Sequence, residues 1–275
     1  MLQNAIEIDV TGADVFGVTQ QQGSGSQLQA GARAQFIDSP ITRALSTLRG
    51  RVAAQTVEFM FRGQVTPLIN YAVLRPFAMQ YAIKQALRQS ASGKHVVDPA
   101  GGYSPVFYWL AETFPATTFT ELDTVATITQ KQNALASFDM PDNLHLQVAD
   151  LTQTPIHTVL SAKPDVILAL GAYVSHTAYR QLLHYLSNTL NQGAMVVGAF
   201  PFLPGIENFR QNSTIFSKIV AEPLGVVSSI QTLEGIFADT PFELCDVYRL
   251  TDLARMLDKP LPADIEVIAV AQLKA

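Results

Sequence analysis

Between Gly93 and Phe200, short apolar runs alternate with stretches whose apolar residues recur every three or four positions, a pattern that predicts strands and helices in turn. Strands are predicted at His95–Asp98, 117–121, Leu144–Val148, 165–170 and 194–200, and helices at 104–114, 124–137 and 176–190. Gly193 follows the last of these helices, where a left-handed residue commonly ends one. The predicted strands are apolar throughout rather than alternating, as in parallel strands covered by helices on both faces. A doubly wound α/β sheet follows.

Both flanks differ from this core. Residues 20–26, a glutamine, glycine and serine stretch, are predicted to be a loop that could order over a ligand. From residue 41 to 89 the helical period dominates, as in Ile69, Val73, Phe77 and Tyr81, and predicts two or three helices interrupted at Pro67 and Pro76. After the sheet, strands at Phe242–Arg249 and 265–272 enclose a short helix at 251–257 and a turn through Lys259, Pro260, Leu261 and Pro262. No internal repeat or linker divides the chain. It reads as a single domain, 1–275, with an N-terminal helical cap over 1–92 and a sheet over 93–275.

Composition narrows the class. The chain has 275 residues, 48% hydrophobic and 15% charged, with a mean hydropathy of +0.18, values that exclude extensive disorder. Its formal charge of -5 is unrelieved by any basic run, which argues against nucleic acid as a partner. Cys245 is the only cysteine; an internal disulfide and a multi-cysteine zinc site are thereby excluded. With Leu244 and Val247 beside it, Cys245 reads as a buried structural thiol on a strand. Residues 1–10 carry Glu7 and Asp9 without the basic start and apolar run of a signal peptide, and no stretch reaches the ~18 apolar residues of a membrane span. A cytoplasmic protein without a membrane partner is expected. No helix-spaced histidine pair or tight carboxylate cluster suggests a metal.

In open parallel sheets, ligands bind beyond the carboxyl ends of the strands. The first predicted strand ends in Asp98-Pro99-Ala100-Gly101-Gly102-Tyr103-Ser104-Pro105, a glycine turn entering a helix. The second ends about twenty residues later in Glu121-Leu122-Asp123, where a carboxylate can accept from the vicinal hydroxyls of a ribose. The third is followed by Asp150-Leu151, where another could accept from an exocyclic adenine amine. Taken in this order, the three features point to a nucleoside cofactor. Each has an ordinary structural reading as a turn, a helix cap or a solvated carboxylate.

The stretches Val96-Val97-Asp98-Pro99-Ala100-Gly101-Gly102 and Phe119-Thr120-Glu121-Leu122-Asp123, with Lys131 beyond, resemble class I methyltransferases, particularly the leucine carboxyl methyltransferase and polyketide O-methyltransferase group. Ala32-Arg33-Ala34, Phe36, Asp38-Ser39-Pro40 and the segment from Ile69-Asn70 through Arg75 to Lys84 resemble that group's helical cap. The likeness spans most of residues 30–200. It implies a Rossmann-like, mostly parallel seven-stranded sheet, S-adenosylmethionine as cofactor with S-adenosylhomocysteine as product, and O-methylation of a small molecule or carboxylate. It places Gly101 and Gly102 by the methionine part of the cofactor, Asp123 and Glu121 by the ribose, and Asp150 and Leu151 by the adenine, with Leu122 also among the cofactor-binding residues. Arg75 and Arg33 would pair with the cofactor carboxylate, while Asp98, Ala100, Leu170 and Gly171 complete the set. Two departures stand out. Ala100, after Pro99, replaces the group's first loop glycine, and Leu170-Gly171-Ala172-Tyr173-Val174-Ser175-His176 lacks the glutamate that commonly follows the fourth strand.

Methyl transfer needs donor and acceptor held in line and water excluded, with a base if the acceptor is a hydroxyl. His176 is the candidate base, and its alternative reading is the start or cap of the next helix; His184 reads as a partly buried surface residue and His157 as a loop residue. Tyr103, Phe107, Tyr108, Trp109 and Tyr173 lie near the cleft in sequence, although Phe107 and Trp109 fall on different helix faces. Residues 200–204 suit an acceptor lid or a hydrophobic turn. Two rivals remain. One is a non-catalytic cofactor-binding or regulatory protein, which the two departures favour. The other is a nicotinamide-dependent oxidoreductase, disfavoured by the absent G-x-G-x-x-G, the long helical segment before the glycine turn and the paired C-terminal strands.

Overall fold

The computed structural model describes residues 24–60, 66–90, 93–171, 174–212 and 226–274. Among the described residues, four helices precede the sheet: α1 (Ser24–Phe36), α2 (Pro40–Ala44), α3 (Leu48–Met60) and α4 (Thr66–Gln89). Strand and helix then alternate through β1 (His95–Asp98), α5 (Val106–Thr113), β2 (Thr118–Asp123), α6 (Val125–Leu135), β3 (Leu144–Val148), α7 (Ile156–Val159), β4 (Val166–Leu168), α8 (His176–Thr189) and β5 (Met195–Pro201). The chain continues with α9 (Leu203–Asn212), α10 (Ile230–Ala238), β6 (Phe242–Arg249), α11 (Leu250–Met256) and β7 (Glu266–Leu273).

The strands form one seven-stranded sheet in the order β3-β2-β1-β4-β5-β7-β6. β1 to β5 pair in parallel, and β7 is inserted antiparallel between β5 and β6. Strand order reverses between β1 and β4, which opens a crevice at their carboxyl ends. Only β4 and β5 are apolar throughout, whereas β2 carries Thr118, Thr120, Glu121 and Asp123 and β3 alternates apolar and polar residues; in all of them successive side chains enter opposite layers. Val96, Phe119, Met195 and Val197 join α4, α5 and α11 in one core, whereas Val97, Leu122, Val196 and Phe200 join α8 and α10 in the other.

The structure departs from the expectations at several places. Residues 24–26 begin α1, while 20–23 lie outside the described residues. The helix carries little apolar signal, because its buried hydrophobic positions are the small Ala30, Ala32 and Ala34. Its crossing with α3 is so close that a Cβ on Gly31 would stand 2.1 Å from the Gly50 carbonyl oxygen. Pro76 lies within the continuous α4. α8 ends at Thr189, and Gly193 (φ +70°) serves the turn after it. Cys245 is on a strand as expected but is exposed; it falls where the β6–β7 register slips between Leu244 and Asp246, and such a bulge shifts the inward and outward alternation. His157 belongs to the short α7 rather than to a loop, and His184 is exposed. Among the described residues, no helix is long and apolar enough to cross a membrane.

Candidate functional site

The carboxyl edge of the sheet gathers most of the residues singled out above, because β1, β2, β3 and β4 all end there. The turn after β1 is held at successive points. Ala100 N–H donates to Asp98 Oδ1 (3.1 Å), Gly102 N–H to Asp123 Oδ2 (2.9 Å), and Gly101 N–H to the Leu122 carbonyl (3.4 Å). The two glycines serve different ends. Gly102 has φ +51°, a conformation that strains a residue with a side chain. Gly101 lies directly on Glu121, where a Cβ would come within 2.9 Å of Oε2.

Asp123 ends β2, and its other oxygen accepts from Thr124 N–H at 2.7 Å. Each oxygen thus receives one backbone N–H and keeps acceptor capacity. Burial raises its pKa, while the Gly102 and Thr124 amides and the Thr127 and Lys131 side chains oppose the rise. Glu121 behaves otherwise. It is Asp98's partner in the β1–β2 register, is 1% exposed, and its Oε2 accepts from Lys131 Nζ. It lies against Gly101, beneath the turn. Burial pushes Glu121 up to about 7 and Asp98 up to about 6, with Lys131 pulling both down.

The side chains of Leu122 and Leu151 are buried in the core, so only their backbones can face a ligand. Asp150 is exposed at the end of β3, where its Oδ1 accepts from Thr152 N–H at 3.0 Å and from the Thr152 hydroxyl. Leu170 is half-buried. Gly171 is closed by Phe200, whose ring a Cβ would meet at 2.3 Å. Ala172 and Tyr173 lie outside the described residues.

The two arginines have opposite surroundings. Arg75 Nε contacts both oxygens of the buried Glu266 carboxylate (3.0 and 3.2 Å), and the Tyr71 hydroxyl donates to Glu266 Oε2 at 3.1 Å. Arg33, on α1, is 5% exposed and donates from Nη2 to the Tyr103 carbonyl at 3.2 Å. Among the described residues no carboxylate forms an ion pair with it. Burial, then repulsion by Arg75, lowers its pKa to about 10, and it stays cationic at neutral pH. Its charge faces the glycine turn uncompensated by any of those carboxylates. Lys131 is legible in the sequence only through the resemblance, without a role, and neither Tyr71 nor Glu266 has one there, since no local spacing links Glu266 to Tyr71 or Arg75.

His176 is the first residue of α8, capped by Ser175, and its Nε2–H donates to the Val226 carbonyl at 3.0 Å. That bond leaves Nδ1 as the acceptor of the neutral ring. His184 Nε2 contacts the Asp239 carbonyl (3.1 Å), and His157 Nδ1 contacts the Tyr185 hydroxyl (2.7 Å). Trp109 stacks on Phe77 with centroids 5.5 Å apart, whereas Phe107 meets Phe119 edge-on at 5.3 Å. These two aromatics therefore pack in different places. A separate cavity of about 460 Å³, lined in part by His157, Lys163, Tyr185 and Asn188, opens at the loop preceding β4, away from the carboxyl edge. Among the described residues, no group of three or more His, Cys, Asp or Glu is placed to hold a metal ion.

No protein-family model matches the chain, and no curated protein matches it by sequence. Solved structures match it in fold. Magnesium protoporphyrin IX methyltransferase (ChlM) from Synechocystis PCC 6803, solved with bound SAH, has a TM-score of 0.53 at 10% identity over 83% of this chain and 95% of its own. The plantazolicin methyltransferase BpumL in complex with SAH has a TM-score of 0.52 at 12% identity, over 94% of this chain and 99% of its own. Human N-acetylserotonin methyltransferase in complex with SAM has a TM-score of 0.51 at 13% identity, over 97% and 72%. At such identities the shared property is the fold, a Rossmann-like methyltransferase sheet with flanking helices.

Proposed function

We propose that this chain is an S-adenosylmethionine-dependent methyltransferase that methylates an oxygen of a small-molecule acceptor. The observation that carries the reading is the buried Arg33 guanidinium beside the glycine turn, without a carboxylate partner among the described residues, with the Asp123 carboxylate bonded to the same turn. A cation and a carboxylate flanking one backbone turn match the two ends of a nucleoside that carries an amino-acid tail. The similarity in fold to enzymes solved with SAH or SAM supports the same cofactor.

The residues present fit it. Arg33 would hold the cofactor carboxylate by charge-assisted hydrogen bonds, with Arg75 contributing field while tied to Glu266. The backbone at Ala100 and Gly102 would border the methionine portion, Asp123 would accept from the ribose hydroxyls, and Asp150 with the Leu151 backbone would border the adenine. When bound, the cofactor supplies a methyl group made electrophilic by its sulfonium. The chain's part is to orient the two reactants and exclude water. For a hydroxyl acceptor, His176 Nδ1 is the candidate to receive the proton, since Nε2 is committed to Val226; a carboxylate acceptor needs no base. The acidic chain, at -5, favours a small acceptor over nucleic acid.

A second reading, a cofactor-binding protein without turnover, draws on the stretch after β4, which carries His176 but no glutamate. Calorimetry with S-adenosylmethionine and S-adenosylhomocysteine, using NAD and NADP as controls, tests the first claim. Saturable binding that Asp123→Ala abolishes is the expected result. Failure of both sulfur nucleosides to bind the native chain would overturn it, and binding without methyl transfer to any acceptor in a screen would favour the second reading.

A further inference from the structure

The carboxylates under the glycine turn present an electrostatic problem. Asp98 and Glu121 are partners in the β1–β2 register, and Asp123 follows two residues later on the same face of the sheet. All three are buried, and like charges directly across two strands repel. One buried ammonium answers them. Lys131, ten residues beyond Glu121 on α6, is 1% exposed; its Nζ donates to Glu121 Oε2 and, at 2.8 Å, to the Ser104 carbonyl. Its charge also lowers the pKa of Asp98 and of Asp123.

The turn is thereby held at its head by Asp98 through Ala100, at its middle by Asp123 through Gly102, and at its tail by Lys131 through Ser104, in addition to the Gly101 bond to the Leu122 carbonyl and the Arg33 bond to the Tyr103 carbonyl. The first two are local to strand ends. The Lys131 bond crosses from another helix, as the Arg33 bond does, but among the described residues Lys131 alone of the two cations is also paired with a carboxylate beneath the turn. Gly101 lies between the turn and the Glu121–Lys131 pair, with too little room for a side chain.

We infer that Lys131 is the positioning residue of the cofactor turn, setting the path from Gly101 to Ser104 without itself touching the cofactor, with Glu121 serving to hold the lysine. The inference rests on reading this turn as the binding element for S-adenosylmethionine. A residue one helix away, neutralising the carboxylates beneath, thus governs how well the turn presents its backbone.

The test compares Lys131→Met with Glu121→Leu in one double variant against Glu121→Gln alone. Lys131→Met by itself strands a buried carboxylate and endangers folding, whereas replacing a whole buried pair with apolar side chains is often tolerated. Two readouts are taken: the Kd of S-adenosylhomocysteine, and amide hydrogen exchange at 101–104 in the protein without added nucleoside. The double variant is expected to melt near the native temperature, to bind about tenfold or more weakly, as loss of a charge-assisted bond implies, and to exchange faster at the turn. Glu121→Gln, whose amide oxygen still accepts from Lys131, is expected to lose only about threefold on the same scale and to keep native-like exchange. Native affinity and exchange in the double variant would overturn the inference, as would an equal loss in Glu121→Gln. If the native chain binds no S-adenosylhomocysteine, the methyl-donor reading fails while the exchange comparison still decides the role of Lys131.

Discussion

Arg33 on α1 donates to the Tyr103 carbonyl at 3.2 Å, and this bond joins the helical cap to the glycine turn of the sheet. Arg33 is buried and, among the described residues, has no carboxylate partner, which is the basis for its proposed pairing with the cofactor carboxylate. Arg33→Met is expected to weaken S-adenosylhomocysteine binding about 10- to 100-fold, the range for a charge-assisted bond. The affinity for 5′-methylthioadenosine, which lacks the carboxylate, should change little. Equal losses for the two nucleosides would show that Arg33 does not read the carboxylate.

Arg75 should behave in the opposite way in the unliganded chain. Its removal leaves Glu266 buried without the cation that holds it, so Arg75→Met is expected to cost about 3 kcal/mol of stability. Arg33→Met removes a buried charge and one hydrogen bond, effects that offset each other to within about 1 kcal/mol. Urea unfolding of both variants measures the contrast, and a larger loss at Arg33 would contradict it.

The crossing of α1 and α3 depends on Gly31. A Cβ there would lie 2.1 Å from the Gly50 carbonyl oxygen and 2.8 Å from the Arg51 nitrogen, backbone atoms that cannot swing aside. Gly31→Val is expected to cost about 1–3 kcal/mol and, with Arg33 two residues along, to weaken nucleoside binding as well. A native melting temperature in this variant would mean that the helices are not so closely crossed.

Stability should decline from acid toward neutral pH. Burial raises Asp98 from 3.8 to about 6 and Glu121 from 4.5 to about 7, so the folded chain keeps protons that the unfolded chain has released. Their contribution is therefore complete below the unfolded values and is lost as the pH rises through the folded ones. Together the two carboxyls contribute a few kcal/mol at most, since each pH unit that separates a folded from an unfolded pKa corresponds to about 1.4 kcal/mol. Unfolding free energies measured from about pH 4.5 to about pH 7.5 should fall, and Asp98→Asn should reduce the slope. An unchanged slope in that variant would assign the effect elsewhere.

Much of the sheet was legible because β1 to β5 and the helices between them carry strong periodic signals, and the register of β1 with β2 brings the glycine turn beside Asp123. The helices with weak signals were missed. α1 buries alanines and a glycine and α7 spans four residues, while α9 and α10 lie in a stretch for which no elements are predicted. The bulge at Cys245 was equally invisible, since a one-residue slip leaves composition unchanged and only reverses which side chains face out.

The chain's own residues determined that apolar runs become covered strands, that a glycine turn follows β1, and that carboxylates end β2 and β3, because these features depend on local period and spacing. Which charge answers which was decided only by tertiary structure. Glu121 and Asp123 differ by two positions and look alike in sequence, yet one is sealed under Gly101 against Lys131 while the other holds the Gly102 amide. Arg33 and Arg75 are both carboxylate candidates in the sequence, Arg75 the stronger of the two, but Glu266, 191 residues from Arg75 along the chain, claims Arg75. Long-range pairing redistributes charge in ways that local pattern cannot encode, since burial and a partner's distance, not residue type, set what a buried ion can do.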